Sequence, residues 1–444
     1  MDYSSCPDVK RILNEVIADI SKEIGSYCYA PEKDFTRNRK LDAEEFIRLS
    51  ISMEGNSLPK EIYNNYSDKK ERMTVSAFVQ RKAKVSPLLF REVLRRFNNT
   101  IKNPSKLNGY RVFAIDGCNF PTPYNPKSKW YLEASGYNKH GDETKGSCQM
   151  HSNMLYDIIN NCYYDCTFER DERRAAIELI ENIKYQKSIV IMDRGYLSFN
   201  MIEHGNRSGL FYIIRSPLVN AIKDIRDLPD AEIDREISIT VCTKSNQFCI
   251  ANGYRKMNVS KGRKEKYSDK TAYTNWDFED TCEIKFRVVK FRINDDGKDA
   301  WEVLVTNLDR TQFPIMEIKK LYGMRWGIET SFRSLKYAVS AINFHSKKDN
   351  YIEQELYARL IMFNAVSRAA GSLPVKKEST KHAYKIDFKM AVQIFRRYYR
   401  KFCKDPPLKM YADIDTYRQP IREGRQDKRK IRVKSAVYFL YRVA

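Results

Sequence analysis

A chain of 444 residues exceeds what one ordinary core holds, so two to four domains are expected. Hydrophobic residues at 42% suffice for globular folding, and the absence of long low-complexity tracts argues against disorder. The net charge of +22, with pI near 9.4, is that of a protein that meets a polyanion, most often nucleic acid. Tyr (29) and Phe (22) interleave with Lys and Arg, which suits base stacking as well as core packing. The opening MDYSSCPDVKRILNEV carries acids early and lacks an apolar h-region, so it does not read as a signal peptide. Apolar runs such as IVIM and FYII are too short to span a bilayer, so a cytoplasmic protein without a membrane partner is expected. Ten cysteines occur without a CxxC pair, which argues against zinc and for reduced, buried thiols. Five histidines without HExxH give little support to His-centred chemistry, and His345 reads as structural.

In chain order, residues 1–106 read as helical, through DVKRILNEVIADISKEI, DAEEFIRLSISM and SAFVQRKAKVSPLLFREVLRRFNN. The break at KVSP before a basic helix is compatible with a helix-turn-helix and equally with an ordinary bundle. From 107 to 216 the pattern changes. YRVFAIDG reads as a strand ending at Asp116, and SCQMHSNMLYDIIN and NCYYDCTFE as two strands joined by a turn at Ile159–Asn161. A helix ERRAAIELIENI, a buried strand KSIVIMDRGY delivering Asp193, a helix SFNMIEHGN and a strand LFYIIRS complete the set. This order, with acids at the tips of the first and fourth strands, predicts an α/β fold with an RNase H-like core. Residues 217–300 read as a β-rich insertion, 301–345 as the second part of the core, and 346–444 as a helical, basic region. Residues 371–444 hold 20 Lys+Arg against 7 Asp+Glu, a net of +13, which suits phosphate contact.

The stretch YGMRWGIETSFRSLK places Tyr322, Arg325, Glu329, Arg333 and Lys336 at helical-face spacing. Leu321, Ile328, Phe332, Leu335 and Val339 form an apolar stripe beside them. One reading is a surface helix with ion pairs Arg325–Glu329 and Glu329–Arg333. The other makes Glu329 a third acid beside Asp116 and Asp193, within cations that hold phosphates. Three hard carboxylates at one spot repel each other unless they bind cations, and Mg²⁺ favours such ligands. Two such ions suit in-line phosphoryl transfer.

Tyr322-x2-Arg325-x3-Glu329-x6-Lys336 resembles the YREK signature of bacterial insertion-sequence DDE transposases of the insertion sequence four family. FAIDG with Asp116, MDRGY with Asp193 and the WEVLVTN strand carry the same resemblance, strongest over 107–345. The chain departs from many of those enzymes in having Cys118 and Asn119 where a small hydroxyl residue follows the first Asp. The resemblance implies that Asp116, Asp193 and Glu329 are catalytic and bind two Mg²⁺ ions, for which Mn²⁺ substitutes. It implies that Tyr322, Arg325 and Lys336 contact the DNA backbone, with Arg333 beside them. Trp301, by context, would capture a base flipped out when a hairpin forms, with Trp326 a second candidate; Trp301 as a strand core residue is the alternative. The implied partners are double-stranded DNA, as transposon ends and as target, and a second protomer in a synaptic homodimer. A nuclease that cuts without joining, and a DNA-binding derivative that has lost catalysis, are the competing readings.

Overall fold

The computed structural model describes residues 2–37, 39–133, 146–217, 222–257, 276–295, 298–373, 376–377 and 383–421. Five helices come first: α1 (Val9–Lys22), α2 (Ala43–Ser52), α3 (Leu58–Asn65), α4 (Val75–Lys82) and α5 (Leu88–Asn99). Asp8, Asp42 and Thr74 start three of them by accepting a backbone N–H of the first turn. Their apolar faces point one way, burying Leu13, Ile17, Phe46, Phe90 and Phe97.

The strands β1 (Arg111–Thr122), β2 (Tyr131–Leu132), β3 (Ser147–Asp157) and β4 (Cys162–Thr167) are followed by α6 (Glu172–Glu181), β5 (Ser188–Met192), α7 (Phe199–Arg207) and β6 (Phe211–Arg215). β1 lies between β3, antiparallel to it, and β5, parallel to it; β6 is parallel to β5, and β4 pairs with β3. Alternation along β1 sends Phe113 and Ile115 to the face covered by α6 and α7, and Val112 and Ala114 to the other. Asp116 continues the second set.

The strand does not end at Asp116 as expected. Residues 117–122 stay in the ladder, from Gly117 opposite Asn153 to Thr122 opposite Cys148. The non-local partner β3 overrides the turn-like polar and proline content of GCNFPT.

Residues 222–306 contribute α8 (Lys223–Arg226), β7 (Ile233–Cys242), α9 (Asn246–Ala251), β8 (Arg255–Lys256), β9 (Thr281–Asp295) and β10 (Lys298–Thr306). These strands extend the same sheet. β10 pairs with β6 on one side and β9 on the other, giving the order β2-β3-β1-β5-β6-β10-β9-β7-β8. β10 runs across position 300, where the core was expected to resume.

α10 (Ile315–Gly323) shares an apolar cluster with the β5-β6-β10-β9 part of the sheet, Ile318 and Leu321 joining Ile191, Ile213, Leu304 and Val289. After α11 (Trp326–Arg333) and a wide π turn at Ser334–Ala338 comes the long α12 (Asp349–Gly371), then α13 (Phe388–Tyr399) and α14 (Pro407–Thr416). The helices from the two chain ends share one core: Phe97 and Phe90 of α5, Ile361 and Phe363 of α12 and Phe395 of α13 belong to the same apolar cluster. α5 presents no free basic face. Arg91 bonds Asp165 and Glu178, Arg95 lies 3.6 Å from Asp165, and Arg96 pairs with Glu92 and Glu23. The basic closing stretch beyond Ile421 lies outside the described residues. All ten cysteines are free thiols, eight of the ten positions lying in or beside strands or helices rather than in a ligand cluster. Among the described residues no helix is long and apolar enough to cross a membrane.

Candidate active site

The site forms where β1, β5 and the helical segment from Tyr322 to Lys336 meet. That segment is not one regular helix, as the spacing predicted. α10 stops at Gly323, and the connection closes with short i→i+3 bonds, Arg325 N–H to the Tyr322 carbonyl and Ile328 N–H to the Arg325 carbonyl. Glycines at 323 and 327 weaken the helix on either side of this joint.

Arg325 is the centre. Its side chain is 12% exposed, and its guanidinium lies 2.9 Å from Glu329 and 3.5 Å from Asp116. Its Nε is buried without a hydrogen-bond partner among the described residues. Asp193 follows β5 directly and accepts from the Tyr322 hydroxyl at 3.4 Å. The three acids named from the sequence therefore face one another with Tyr322 and Arg325 between them. Burial pushes the Asp116 carboxyl up to about 6; Arg325 and the Gly117 N–H pull it down, and Glu329 and Asp193 push it further up. Burial likewise raises the Tyr322 hydroxyl well above its ordinary range, so it stays a donor.

These donors are hard oxygen ligands of the kind divalent Mg²⁺ takes, and their mutual repulsion is what a bound cation relieves. Among the described residues, however, no three His, Cys, Asp or Glu side chains stand close enough together to hold one metal ion. Arg325 sits between Asp116 and Glu329 and supplies positive charge to both. Glu329 pairs with Arg325 only; the expected Glu329–Arg333 bridge is absent among the described residues, and Arg333 is exposed.

An open groove of about 520 Å³ runs beside the acids, lined by Asp116, Asn119, Gln149, Trp326, Glu329, Arg333 and Lys336 among others. Lys336 points inward, its Nζ 5.2 Å from the Phe120 ring and its charge opposing the rise that burial gives the Cys118 thiol. Asn119, at the other position where the chain departs from the resembling enzymes, holds His151 at 2.8 Å. Trp301 is not brought to this groove. Alternation along β10 puts it on the face of Val303 and Val305, where Lys290 and Arg292 flank its ring at 5.0 and 5.1 Å. Its neighbour Glu302 shares the face of Leu304 and bonds Arg215 at 3.1 Å.

Glu302 and Arg215 are the site residues that sequence reading passed over. Burial raises the Glu302 carboxyl, the cations Arg215, Arg325 and Lys319 oppose this, and Asp193 adds to it, so the pair lies within the field of the acids. Its one signal was an acid in an otherwise apolar strand, WEVLVTN. His345, read as structural, is buried with its Nδ1 3.1 Å from Glu355 and its Nε2 3.7 Å from Glu61.

Comparison with known proteins accords with this geometry. Residues 107–365 match the transposase DDE domain family. The chain is also similar to the transposase InsG for insertion sequence element IS4 of Escherichia coli (strain K12), with 22% identity over 365 residues, 78% of this chain and 74% of that protein. The family match covers more than half of the chain and contains the strand of Asp116, the tip of β5 and all of α11, and by it this protein belongs to the DDE transposases, enzymes that cleave DNA and join its strands.

Proposed function

We propose that this protein binds the terminal inverted repeats of an insertion sequence and moves it by cut-and-paste chemistry, with Asp116, Asp193 and Glu329 as the catalytic acids. The observation that carries this reading is their convergence from three separated segments onto Arg325 and Tyr322. The strand order β4-β3-β1-β5-β6, with β3 antiparallel to β1, supports an RNase H-like core. The three carboxylates would hold two divalent ions, Mg²⁺ or Mn²⁺, which when bound supply an acidified nucleophile and a neutralised leaving oxygen.

The chain's own residues then do the positioning. Tyr322 donates a hydrogen bond from a hydroxyl kept protonated by burial, first to Asp193 and, when DNA is bound, to a phosphate oxygen. Arg325 exchanges its two carboxylate partners for phosphate, freeing Asp116 and Glu329 to act as metal ligands. Lys336 and Arg333 neutralise backbone phosphates along the groove. A hairpin at the cleaved end, base capture by Trp301 and synapsis of two ends by two protomers complete the reading. Trp301 is separated from the acids by the sheet, so capture there requires DNA to reach the opposite face of the sheet.

The test is cleavage of a labelled duplex taken from the gene's own flanks, with Mg²⁺ or EDTA. The native protein should cut only with Mg²⁺, Asp193→Ala should lose at least about 10³-fold in rate, and Arg325→Ala about 10²–10³-fold, by analogy with loss of one pre-organised charge donor. Cutting by Asp193→Ala at the native rate would refute the assignment.

A further inference from the structure

From Gly323 to Tyr337 the exposed positions are Gly323, Trp326, Thr330, Arg333 and Tyr337, a spacing of 3, 4, 3 and 4 that makes one outward face. Two large aromatics stand on it, Trp326 at 50% exposure and Tyr337 at 67%. Burying rings of this size is favourable, so two such rings left in water on one face need an account. The π turn at Ser334–Ala338, closed by Val339 N–H to the Ser334 carbonyl at 3.0 Å, separates the roles of adjacent residues. It turns Lys336 inward over Phe120 and leaves Tyr337 pointing out.

Neither Arg333 nor Lys336 has a carboxylate partner among the described residues, so Arg333 makes the face cationic between its two rings and Lys336 adds positive charge from the groove side. Trp326, Thr330 and Arg333 border the groove that holds Asp116 and Glu329. The rings are 11 positions apart, roughly 16 Å along a helix axis at about 1.5 Å per residue, or between four and five nucleotide steps at about 3.4 Å each. Two exposed rings flanking a cation without a carboxylate partner fit a strand whose phosphates and base faces are both open. Base faces are closed inside a duplex.

Building on the proposed function, we propose that this face stacks unpaired nucleotides adjoining the scissile phosphate. Trp326 takes a base on the groove side of Glu329, and Tyr337 takes one beyond Lys336. Tyr337 is thus a DNA-binding residue outside the four-residue signature, and it confers a preference for ends with an unpaired extension.

The experiment measures binding by fluorescence anisotropy in EDTA. It compares a blunt duplex end with the same end carrying a five-nucleotide unpaired extension on either strand, for native protein, Tyr337→Ala and Tyr337→Phe. One extension should bind the native protein about 10-fold more tightly than the blunt end, the order expected for one stacked base. Tyr337→Ala should lose that advantage while keeping blunt-end affinity, and Tyr337→Phe should keep both. No advantage in the native protein, or equal losses on both DNAs, would overturn the inference while leaving the transposase reading intact. A change in light-scattering mass with Tyr337→Ala and none in DNA preference would assign the face to a second copy instead. Failure of the native protein to bind either DNA would overturn the transposase reading and this inference with it.

Discussion

Asp116 shows how a single residue carries the tension of the site. Its side chain is 23% exposed, and burial with two neighbouring carboxylates pushes it up to about 6, despite Arg325. A carboxyl raised above its unfolded value of 3.8 binds protons more readily in the folded chain, so stability falls as pH rises from 3.8 through about 6. Above that window the charged form costs the fold up to about 3 kcal/mol, at about 1.36 kcal/mol per unit. Asp116→Asn should therefore raise the melting temperature in EDTA at pH 8, with the gain shrinking toward pH 4. The check is thermal unfolding across that range; a lower melting temperature for the variant at pH 8 would mean that the ion pair with Arg325 outweighs the burial. That Asp116, Asp193 and Glu329 come near one another was legible in the sequence, the first two as acids at the ends of the strands in FAIDG and MDRGY and the third from its helical-face spacing among cations. The Arg215–Glu302 pair was not, because its meaning depends on β6 and β10 being neighbours, which nothing local specifies.

At the scale of elements, the helical segments and the strands of the core follow from periodicity and capping, and their order was readable. What periodicity could not give was partnership. The first strand was expected to end at Asp116 but is carried on through GCNFPT by β3, and the strands expected in residues 217–300 as a β-rich insertion pair into the central sheet. The basic character of α4 and α5 likewise said nothing about where the charges go. Lys82, at the end of α4, is buried and ion-paired with Glu355 of α12, which also holds His345; Glu61 of α3 lies on the other side of that ring. Its neighbours hold the Glu61 carboxyl down at about 2, through His345 and two backbone N–H groups that outweigh its burial. This network fastens α3, α4 and α12 together. Lys82→Met should leave Glu355 a buried charge short of its main partner and destabilise the protein by about 3–5 kcal/mol. Adding Glu355→Gln should recover a large part of that loss. Urea unfolding of the three proteins checks this, and an unchanged midpoint for Lys82→Met would show that the pair is dispensable.

Across the whole molecule, one sheet separates two environments. α6 and α7 cover one face; the other carries the acids, the Tyr322–Lys336 segment and the helices of both chain ends. Because the first and last helices share a core with the underside of β1, β3 and β4, the position of Glu329 relative to Asp116 depends on packing contributed by residues 298 positions apart, Phe97 and Phe395. Arg325 pairs with both Asp116 and Glu329, so in the proposed reading binding of a phosphate backbone by Arg325 and assembly of the metal site are coupled events. The decisive measurement is strand transfer: labelled, pre-cleaved DNA ends from the gene's own flanks, a plasmid target and Mg²⁺, with native protein and Glu329→Ala side by side. The account predicts joined product from the native protein and none from the variant. Equal joining by both would contradict it, because Glu329 would then not be the third acid of the site.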